Sequence, residues 1–298
     1  MKVPNPDLLS QFQNINTWKS KGTRAPHKPL LILMALGEIQ RGNTGFIPYT
    51  SIEPRLKDLL MDFGPFRKSY YPNFPFTKLA NDKLWQFNKP ELLDTKQDYT
   101  SKFLRENDLQ GKFPDEVTQQ LKQNPELLRS IAETVLEQNF PDTLHQDILD
   151  AVGLDITAGP ATNKPKQIRR DPLFRESILK AYEYRCAVCG FGVRLKHKIL
   201  ALEAAHIMWH QAGGPDEEVN GLALCATHHK LFDLGAFTIN ADLRMLVSDE
   251  VNGMGATEWL LQHHGKSIKA PQKKSFYPAP EFTAWHVNEV FKGGYRDV

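Results

Sequence analysis

The spacing of three cysteines and one histidine constrains the C-terminal half of this 298-residue chain most strongly. Cys186 and Cys189 form a C-x-x-C pair, Cys225 and His228 form a C-x-x-H pair, and no other cysteine occurs. Two such pairs supply the four ligands of a tetrahedral zinc ion, which then has no open coordination position. The sequence therefore predicts a structural Zn²⁺ site in a protein of a reducing compartment, with buried free thiols beside a surface histidine as the alternative.

The fourth zinc ligand has two candidates, because His228 is followed directly by His229. Neighbouring side chains of a helix point about 100° apart, so the two rings face different directions. The three-residue spacing from Cys225 favours His228 as the zinc ligand. The four-residue spacing also allows His229 to reach the zinc ion.

Net charge is distributed unevenly along the chain. It is +7 over residues 1–90, −8 over residues 91–163 and +3 over residues 164–298. The basic first third fits a polyanion partner, which the acidic middle would not face, although chance asymmetry among solvated side chains is the alternative. The longest apolar run, Leu30–Leu36, is too short for the roughly 20 residues of a membrane span. Since the N-terminus also lacks the apolar stretch of a secretory signal, we expect a cytoplasmic protein without a membrane partner.

Apolar periodicity and chain breakers predict the secondary structure. The predicted helices are 7–20, 28–40, 51–62, 100–109, 115–122, 125–139, 142–151, 171–183, 225–234, 256–263 and 281–291. The predicted strands are 75–79, 84–87, 199–205, 236–240 and 244–247. Residues 153–168 contain two glycines, two prolines and few apolar residues, which is typical of a linker. We therefore predict a domain at 1–152, a linker at 153–168 and a second domain at 169–298.

A second pattern lies between the predicted zinc ligands. It consists of Glu203-Ala-Ala-His206, then Asn220-Gly221 and then His228-His229. A histidine that ends a strand, an asparagine 14 residues later and a histidine that opens a helix nine residues further on resemble the HNH endonuclease family. The resemblance covers roughly residues 180–235. It implies a ββα-metal fold that holds one divalent ion, Mg²⁺ or Mn²⁺, against the scissile phosphate.

The HNH resemblance also implies a role for each residue of the pattern. His206 is the candidate base that takes the proton from water. Asn220 would fix the tautomer of that imidazole, and its equivalent in some relatives touches the metal instead. His229 would hold the catalytic metal. Many family members have an acidic ligand where this chain has Ala205, so Glu203, on the same strand face, either replaces it or lies on a solvated face.

The N-terminal domain carries two segments that look like a known reader of modified DNA. His27-Lys28-Pro29 opens a helix, and Asn73-Phe74-Pro75-Phe76 follows the breaker Gly64-Pro65. This order is similar to the sulfur-binding domain of phosphorothioate-dependent restriction enzymes, where that domain also precedes an HNH domain. The resemblance covers about residues 10–150. Family members usually have Arg after the His and Tyr-Pro-Phe in the loop, in place of Lys28 and Phe74-Pro75-Phe76.

The sulfur-binding resemblance implies an apolar cup made by the rings of Phe74 and Pro75. Sulfur is larger and less hydrated than the phosphate oxygen that it replaces. An oxygen in the cup would lose its hydrogen bonds to water at a cost of roughly 1–3 kcal/mol, which discriminates against ordinary DNA. His27, Lys28 and Lys78 would hold the flanking phosphates, helped by the N-terminus of the helix.

The predicted fold class is α+β, with a mostly helical N-terminal reader domain that has a small β element and a C-terminal ββα-metal HNH domain with a zinc knuckle. The predicted function is that of a modification-dependent restriction endonuclease acting on phosphorothioate double-stranded DNA. A homodimer is expected, because cutting both strands requires two active sites. The alternatives are an HNH endonuclease that reads another modification or plain duplex, and a non-catalytic zinc-knuckle DNA-binding protein.

Overall fold

The computed structural model describes residues 6–17, 22–23, 25–94, 96–157 and 172–296. The chain forms two compact units, one made of Met1–Ser20 and Arg24–Gln167 and the other of Lys21–Thr23 and Ile168–Val298. Residues 158–168 of the predicted linker lie outside the described residues, so the linker and its boundaries stay a prediction. Within the described ranges, no helix combines the length and the apolar character needed to cross a membrane.

The first unit consists mainly of α-helices. They are α1 Pro6–Gln13, α2 His27–Gln40, α3 Tyr49–Phe63, α4 Asn73–Lys78, α5 Ser101–Glu106, α6 Asp115–Gln123, α7 Pro125–Asn139 and α8 Asp142–Val152. The short strands are β1 Ile47–Pro48, β2 Gln86–Phe87 and β3 Gln110–Lys112. These strands form one antiparallel sheet with β3 in the middle. The helix predicted at 7–20 ends at Gln13, and residues 18–20 of that prediction lie outside the described residues.

Helix α2 lies at the centre of the first unit because its sequence is apolar on every side. Every residue from Leu30 to Leu36 is buried, and a helix without a polar face has to be enclosed by other elements. Helices α3, α4, α6, α7 and α8 all pack against it. Pro29 lies in the first turn, where its missing N–H costs no intrahelical hydrogen bond. The candidate residues His27 and Lys28 therefore lie at the N-terminus of a rigid helix.

A buried carboxylate ties the C-terminal end of α2 to its neighbours. The Glu38 carboxylate accepts hydrogen bonds from Arg41 at 2.8 Å, Arg55 at 2.6 Å and Asn43 at 2.7 Å. Arg41 also donates to the Val152 carbonyl at 3.0 Å, near the end of α8. Burial alone would raise the pKa of Glu38, but these hydrogen bonds outweigh it and lower the pKa from 4.5 to about 2.

The low pKa of Glu38 predicts that the first unit loses stability in acid. The ionised carboxylate stabilises the folded state fully above pH 4.5, and the contribution disappears as the pH falls toward 2. Because both arginines are partly exposed, we expect Glu38→Gln to lower the free energy of unfolding at pH 7 by only about 1–2 kcal/mol. Hydrogen exchange in α2 and α8 measures this loss, which should shrink between pH 4.5 and 2. The exposed Glu91→Gln is the control and should change exchange little at any pH.

The strand predicted at 75–79 is wrong, because these residues belong mostly to helix α4. Pro75 lies in the first turn of α4, where its missing N–H removes no intrahelical hydrogen bond. Phe76 is fully buried, and its ring centroid lies 4.9 Å from that of Tyr49 on α3. This tertiary contact favours the helix over the strand that the alternating aromatic pattern suggested.

The second unit alternates short helices with two-stranded sheets. Its helices are α9 Pro172–Ala181, α10 Ala226–Asp233, α11 Ala256–Trp259 and α12 Pro280–Glu289. Its strands are β4 Val193–Leu195, β5 Lys198–Leu200, β6 Leu202–His206, β7 Gly221–Cys225, β8 Phe237–Ile239 and β9 Met245–Val247. The antiparallel pairs are β4–β5, β6–β7 and β8–β9.

The ββα element of the second unit is formed by β6, β7 and α10. The two strands pair from Leu202 opposite Cys225 to His206 opposite Gly221, and α10 follows β7 without a loop. Strand β7 is buried along its whole length, and α9 packs against both strands. The α+β fold class, with a helical first unit and a ββα element in the second, is thereby confirmed.

Two elements of the second unit differ from the sequence prediction. The strand predicted at 199–205 is interrupted at Ala201, which has a φ of 51° and whose carbonyl accepts a hydrogen bond from Ala226 at 3.1 Å. The helix predicted at 256–263 ends at Trp259, and a short 3-10 helix follows at Leu261–His263. The left-handed conformation of Ala201 turns β5 away from β6, so β5 pairs with β4 instead.

Candidate functional site

The cysteine and histidine ligands predicted for zinc lie together in the second unit. One ligand atom from each of Cys186, Cys189, Cys225 and His228 lies within 4.8 Å of all the others. The Sγ atoms of Cys189 and Cys225 are 4.0 Å apart, and the Cys186 Sγ is 3.7 Å from the His228 Nδ1. Ligands at about 2.3 Å from a tetrahedral zinc ion have separations of about this size, so the four residues fit a structural zinc ion.

The thiols and the ring of His228 interact strongly with one another, and the orientation of the ring suits a shared ion. Hydrogen bonds from Cys189 and Cys225 hold the pKa of Cys186 far below its ordinary value. Burial disfavours a charged His228 ring, but the sulfur atoms and the Trp259 carbonyl outweigh it and raise its pKa to about 10. The His228 Nε2 lies 2.8 Å from that carbonyl, which leaves Nδ1 facing the sulfur atoms. The geometry thus places His228 among the thiols, while His229 points elsewhere.

His206 ends β6, and Asp216 and Phe174 both contact its ring. Its Nε2 lies 2.7 Å from the Asp216 Oδ1. Its ring stacks on Phe174 of α9, with the centroids 4.1 Å apart and the planes at 17°. The ring is 7% exposed, so these contacts fix its orientation at the edge of the protein interior. Sequence reasoning missed Asp216, since a carboxylate ten residues away in a loop follows no spacing rule.

Asn220 does not make the hydrogen bond to His206 that the sequence suggested. Its Oδ1 accepts from the Met208 backbone N–H at 2.8 Å, and its Nδ2 donates to the carbonyls of Met208 and Pro215, each at 3.0 Å. The side chain is fully buried and closes the loop between β6 and β7. The loop that Asn220 closes also carries Asp216, the carboxylate in contact with His206.

His229 lies between two carboxylates. Its Nδ1 is 2.6 Å from the Glu203 Oε2, and its Nε2 is 3.3 Å from the Asp233 Oδ2. Burial disfavours the charged ring, but Asp233 and Glu203 outweigh it and raise the pKa of His229 to about 9. The hydrogen bond from His229 is the main cause that lowers the pKa of Glu203. The predicted pair Glu203 and His229 is thus brought together.

Asp233 is a further acidic group that sequence reasoning missed. It lies four residues after His229 on α10, and its Oδ1 accepts a hydrogen bond from the Trp209 Nε1 at 3.1 Å. The four-residue spacing on a predicted helix was the signal that could have revealed it. With Glu203 it flanks His229, one carboxylate at each ring nitrogen, so the three side chains supply oxygen and imidazole groups of the kind that hard divalent ions such as Mg²⁺ or Mn²⁺ bind.

Each side chain of the first unit that was predicted to bind phosphate is either paired with a carboxylate or uncharged. The Lys28 Nζ lies 2.6 Å from the Asp82 Oδ2 and donates to the Asn16 carbonyl at 2.7 Å. Lys78 is paired with Asp98 at 2.8 Å. Burial, aided by the charge of Arg67, lowers the pKa of His27 to about 4, so this ring is neutral near pH 7. Lys28 and Lys78 could therefore contact DNA phosphate only in competition with a carboxylate, and His27 would contact it without a positive charge.

The aromatic part of the predicted cup is split between surface and interior. Phe74 is 40% exposed, and its ring lies 5.8 Å from the exposed ring of Tyr71. Pro75 is buried. Phe66 and Arg67, in the loop between α3 and α4 that also contains Tyr71, are exposed as well. The first unit therefore presents an aromatic surface with cations in the same loop.

Comparison with known families and structures gives matches in both units. Residues 5–157 match the family model described as ScoMcrA-like, DNA sulfur-binding domain. Residues 186–240 match the HNH endonuclease family model. No curated protein matches the chain.

Several solved structures are similar to parts of this chain. The sulfur-binding domain of ScoMcrA complexed with phosphorothioated DNA is 20% identical, with a TM-score of 0.43, over 52% of this chain and 97% of that one. The corresponding SprMcrA complex is 19% identical, with a TM-score of 0.41, over 50% and 93%. The Type IV phosphorothioation-dependent restriction endonuclease ScoMcrA is 14% identical, with a TM-score of 0.39, over 78% and 84%.

Proposed function

The chain belongs to the family of ScoMcrA-like DNA sulfur-binding domains, and we propose that it is a restriction endonuclease that recognises phosphorothioate DNA and cuts it with its HNH domain. Both resemblances seen in the sequence are confirmed by the family matches. The observation that carries the proposal is their combination in one chain. A sulfur-binding match over just over half of the sequence is followed by an HNH match that contains the zinc ligands and His206, Asn220 and His229.

In the proposed reaction, His206 acts as the general base. A neutral imidazole takes a proton from water, and the hydroxide attacks the phosphorus of the scissile phosphodiester. Asp216 holds the ring at Nε2, which orients Nδ1 and stabilises the imidazolium that forms. Phe174 restricts rotation of the ring by stacking on it. Asn220 acts as a positioning residue, because it closes the loop that supplies Asp216.

Glu203, His229 and Asp233 would hold the catalytic divalent ion, Mg²⁺ or Mn²⁺. Such an ion would neutralise the charge that develops on the leaving oxygen as its bond to phosphorus breaks. Each carboxylate contacts one ring nitrogen of His229, so the ion would replace one of these contacts and the proton of the ring. Cys186, Cys189, Cys225 and His228 would hold a separate structural Zn²⁺ that fixes the start of α10, from which His229 projects.

Recognition of sulfur is assigned to the exposed surface around Phe74. An aromatic face accepts a poorly hydrated sulfur atom with little desolvation cost, whereas an oxygen there loses hydrogen bonds to water. Pro75 would stiffen the first turn of α4 beneath it. His27, being neutral, would donate a hydrogen bond rather than a charge. Lys28 and Lys78 would contact phosphate only if it competes with their carboxylate partners.

The remaining parts of the proposal follow from the substrate. Cutting both strands of one duplex requires two active sites, so the acting species would be a homodimer. Double-stranded DNA as the substrate, together with a site built from reduced thiolates, makes the cytoplasm the proposed location.

The deciding experiment compares two plasmids of identical sequence, one with phosphorothioate linkages and one without, in the presence of Mg²⁺ or Mn²⁺. We expect cleavage of the modified plasmid only. Equal cleavage of both would assign the first unit to a different modification or to plain duplex. Absence of cleavage by zinc-loaded protein with either ion would favour a non-catalytic DNA-binding protein.

Phe74→Ala is expected to reduce the preference for phosphorothioate over plain duplex about tenfold, since it removes the surface that makes an oxygen costly. Competition binding with two duplexes of one sequence measures this preference. Phe46→Ala is the matched control, because it removes another partly exposed phenylalanine of the same unit. An unchanged preference in Phe74→Ala would separate this ring from sulfur recognition.

A further inference from the structure

A two-stranded hairpin, β4–β5, projects from the second unit outside the ββα element. Val193 pairs with Leu200 and Leu195 pairs with Lys198, which leaves a two-residue turn at Lys196 and His197. Lys196 has a φ of 54°, the left-handed conformation that a tight hairpin turn requires. All residues from Gly192 to Lys198 are exposed, so this ribbon is open to a partner.

The hairpin and its flanking residues carry only positive charge. Residues 184–202 contain four arginines and lysines and no acidic residue. Arg194, Lys196 and Lys198 lie on the ribbon itself, and Arg194 is stacked over the ring of Tyr184 with its Cζ 4.9 Å from the ring centroid. Such a concentration of cations, without a carboxylate among them in the sequence, is complementary to a polyanion.

Apolar side chains lie between these cations. Leu195 is 64% exposed and Val193 is 47% exposed, and both are on the same face of the ribbon as Lys198, because cross-strand partners share a face. In the major groove, apolar side chains can contact thymine methyl groups while cations contact the phosphates, so this mixture of side chains suits a DNA-binding element.

The base of the hairpin is anchored at both ends. On one side, the Cys186 N–H donates to the Phe191 carbonyl at 2.8 Å, so the ribbon begins directly at the zinc cluster. On the other side, β5 is followed after a single residue, Ala201, by strand β6, which carries Glu203 and His206. The ribbon is therefore fixed with respect to the candidate catalytic residues.

We propose that the β4–β5 hairpin is a second DNA-binding element, which enters a groove of the duplex beside the bond to be cut. A two-stranded ribbon fits the major groove of B-DNA. Arg194, Lys196 and Lys198 contact phosphates, and Leu195 packs against the sugars and bases. This inference rests on the proposed nuclease function of the second unit but not on the sulfur specificity of the first.

The test compares the triple variant Arg194→Ala, Lys196→Ala, Lys198→Ala with a control triple, Lys180→Ala, Lys266→Ala, Lys274→Ala. The control removes the same charge from three exposed lysines elsewhere in the second unit. Binding of the full chain to plain and to phosphorothioate duplex is measured at several salt concentrations without Mg²⁺ or Mn²⁺. Zinc content verifies that each variant is folded.

Affinity falls as salt rises, and loss of three phosphate contacts should make the slope of log affinity against log salt less steep by about 2.7. Between 50 and 200 mM salt, wild-type affinity should consequently fall about 40-fold more than that of the hairpin variant. The control triple should keep the wild-type slope. Leu195→Ser should weaken binding and cleavage several-fold without changing the slope.

A hairpin triple with the same slope as the control triple on both duplexes would overturn the proposal. Failure of the proposed sulfur recognition would look different, because the wild-type protein would then show no preference between the duplexes while the hairpin triple still changed the slope. Failure of the proposed nuclease function would be seen as an absence of cleavage by the wild-type protein.

Discussion

His206→Ala is expected to lower the rate of DNA cleavage about 1,000-fold or more, the largest effect of any single substitution in the second unit that leaves the fold intact. A general base contributes about 10²–10⁴-fold to a reaction, and alanine has no group that could take its place. Single-turnover cleavage of phosphorothioate duplex measures the effect. Affinity for uncut DNA should stay within a few-fold of wild type, because the base acts only in the chemical step.

His210→Ala is the matched control for this substitution. His210 lies in the segment that follows β6, with its ring centroid 5.9 Å from that of His206, and we expect cleavage close to the wild-type rate. Asp216→Asn should cause a smaller loss than His206→Ala and should shift the pH profile of cleavage, since it weakens the orientation of the base and the stabilisation of its charge. Cleavage at the wild-type rate by zinc-loaded His206→Ala protein would remove this histidine from the mechanism.

The parts of the site that depend on short-range spacing could be predicted from the sequence. The C-x-x-C and C-x-x-H pairs lie on local turns, so their spacing alone determines which atoms can reach one ion. The same reasoning separates His228 from His229, because two successive residues of α10 cannot point in the same direction. The helical character of the first unit also followed from a local signal, the fully apolar segment of α2.

The parts that depend on contacts distant in sequence could not be predicted. Lys28 looks like a phosphate ligand at a helix N-terminus, but it is paired with Asp82, 54 residues later. The helix at Asn73–Lys78 was mistaken for a strand because burial of Phe76 against Tyr49 decides its conformation. Asp216 reaches His206 only through a loop whose path is set by Asn220, and no local pattern reveals that path.

Cys225→Ser is expected to remove the zinc ion and unfold the second unit. A serine hydroxyl does not ionise near neutral pH and is a poor zinc ligand, and binding of a structural zinc ion is coupled to folding, at about 10–16 kcal/mol in zinc-finger peptides. That energy is comparable with the whole stability of a domain of ordinary size. Because Cys225 ends β7 and precedes α10, its loss should also release the strand and helix that carry the candidate catalytic residues.

Metal analysis and thermal unfolding of the full chain measure this result, with Thr227→Ala as the control. Thr227 is exposed and lies between the two candidate zinc ligands Cys225 and His228, so its replacement disturbs the same turn without removing a candidate ligand. We expect one equivalent of zinc and wild-type unfolding in the control. In Cys225→Ser we expect no bound zinc, no cleavage and loss of the second unit's unfolding transition, while hydrogen exchange in α2 of the first unit stays as in the wild type. A Cys225→Ser protein that keeps its zinc and its cleavage activity would contradict the assignment of this cysteine.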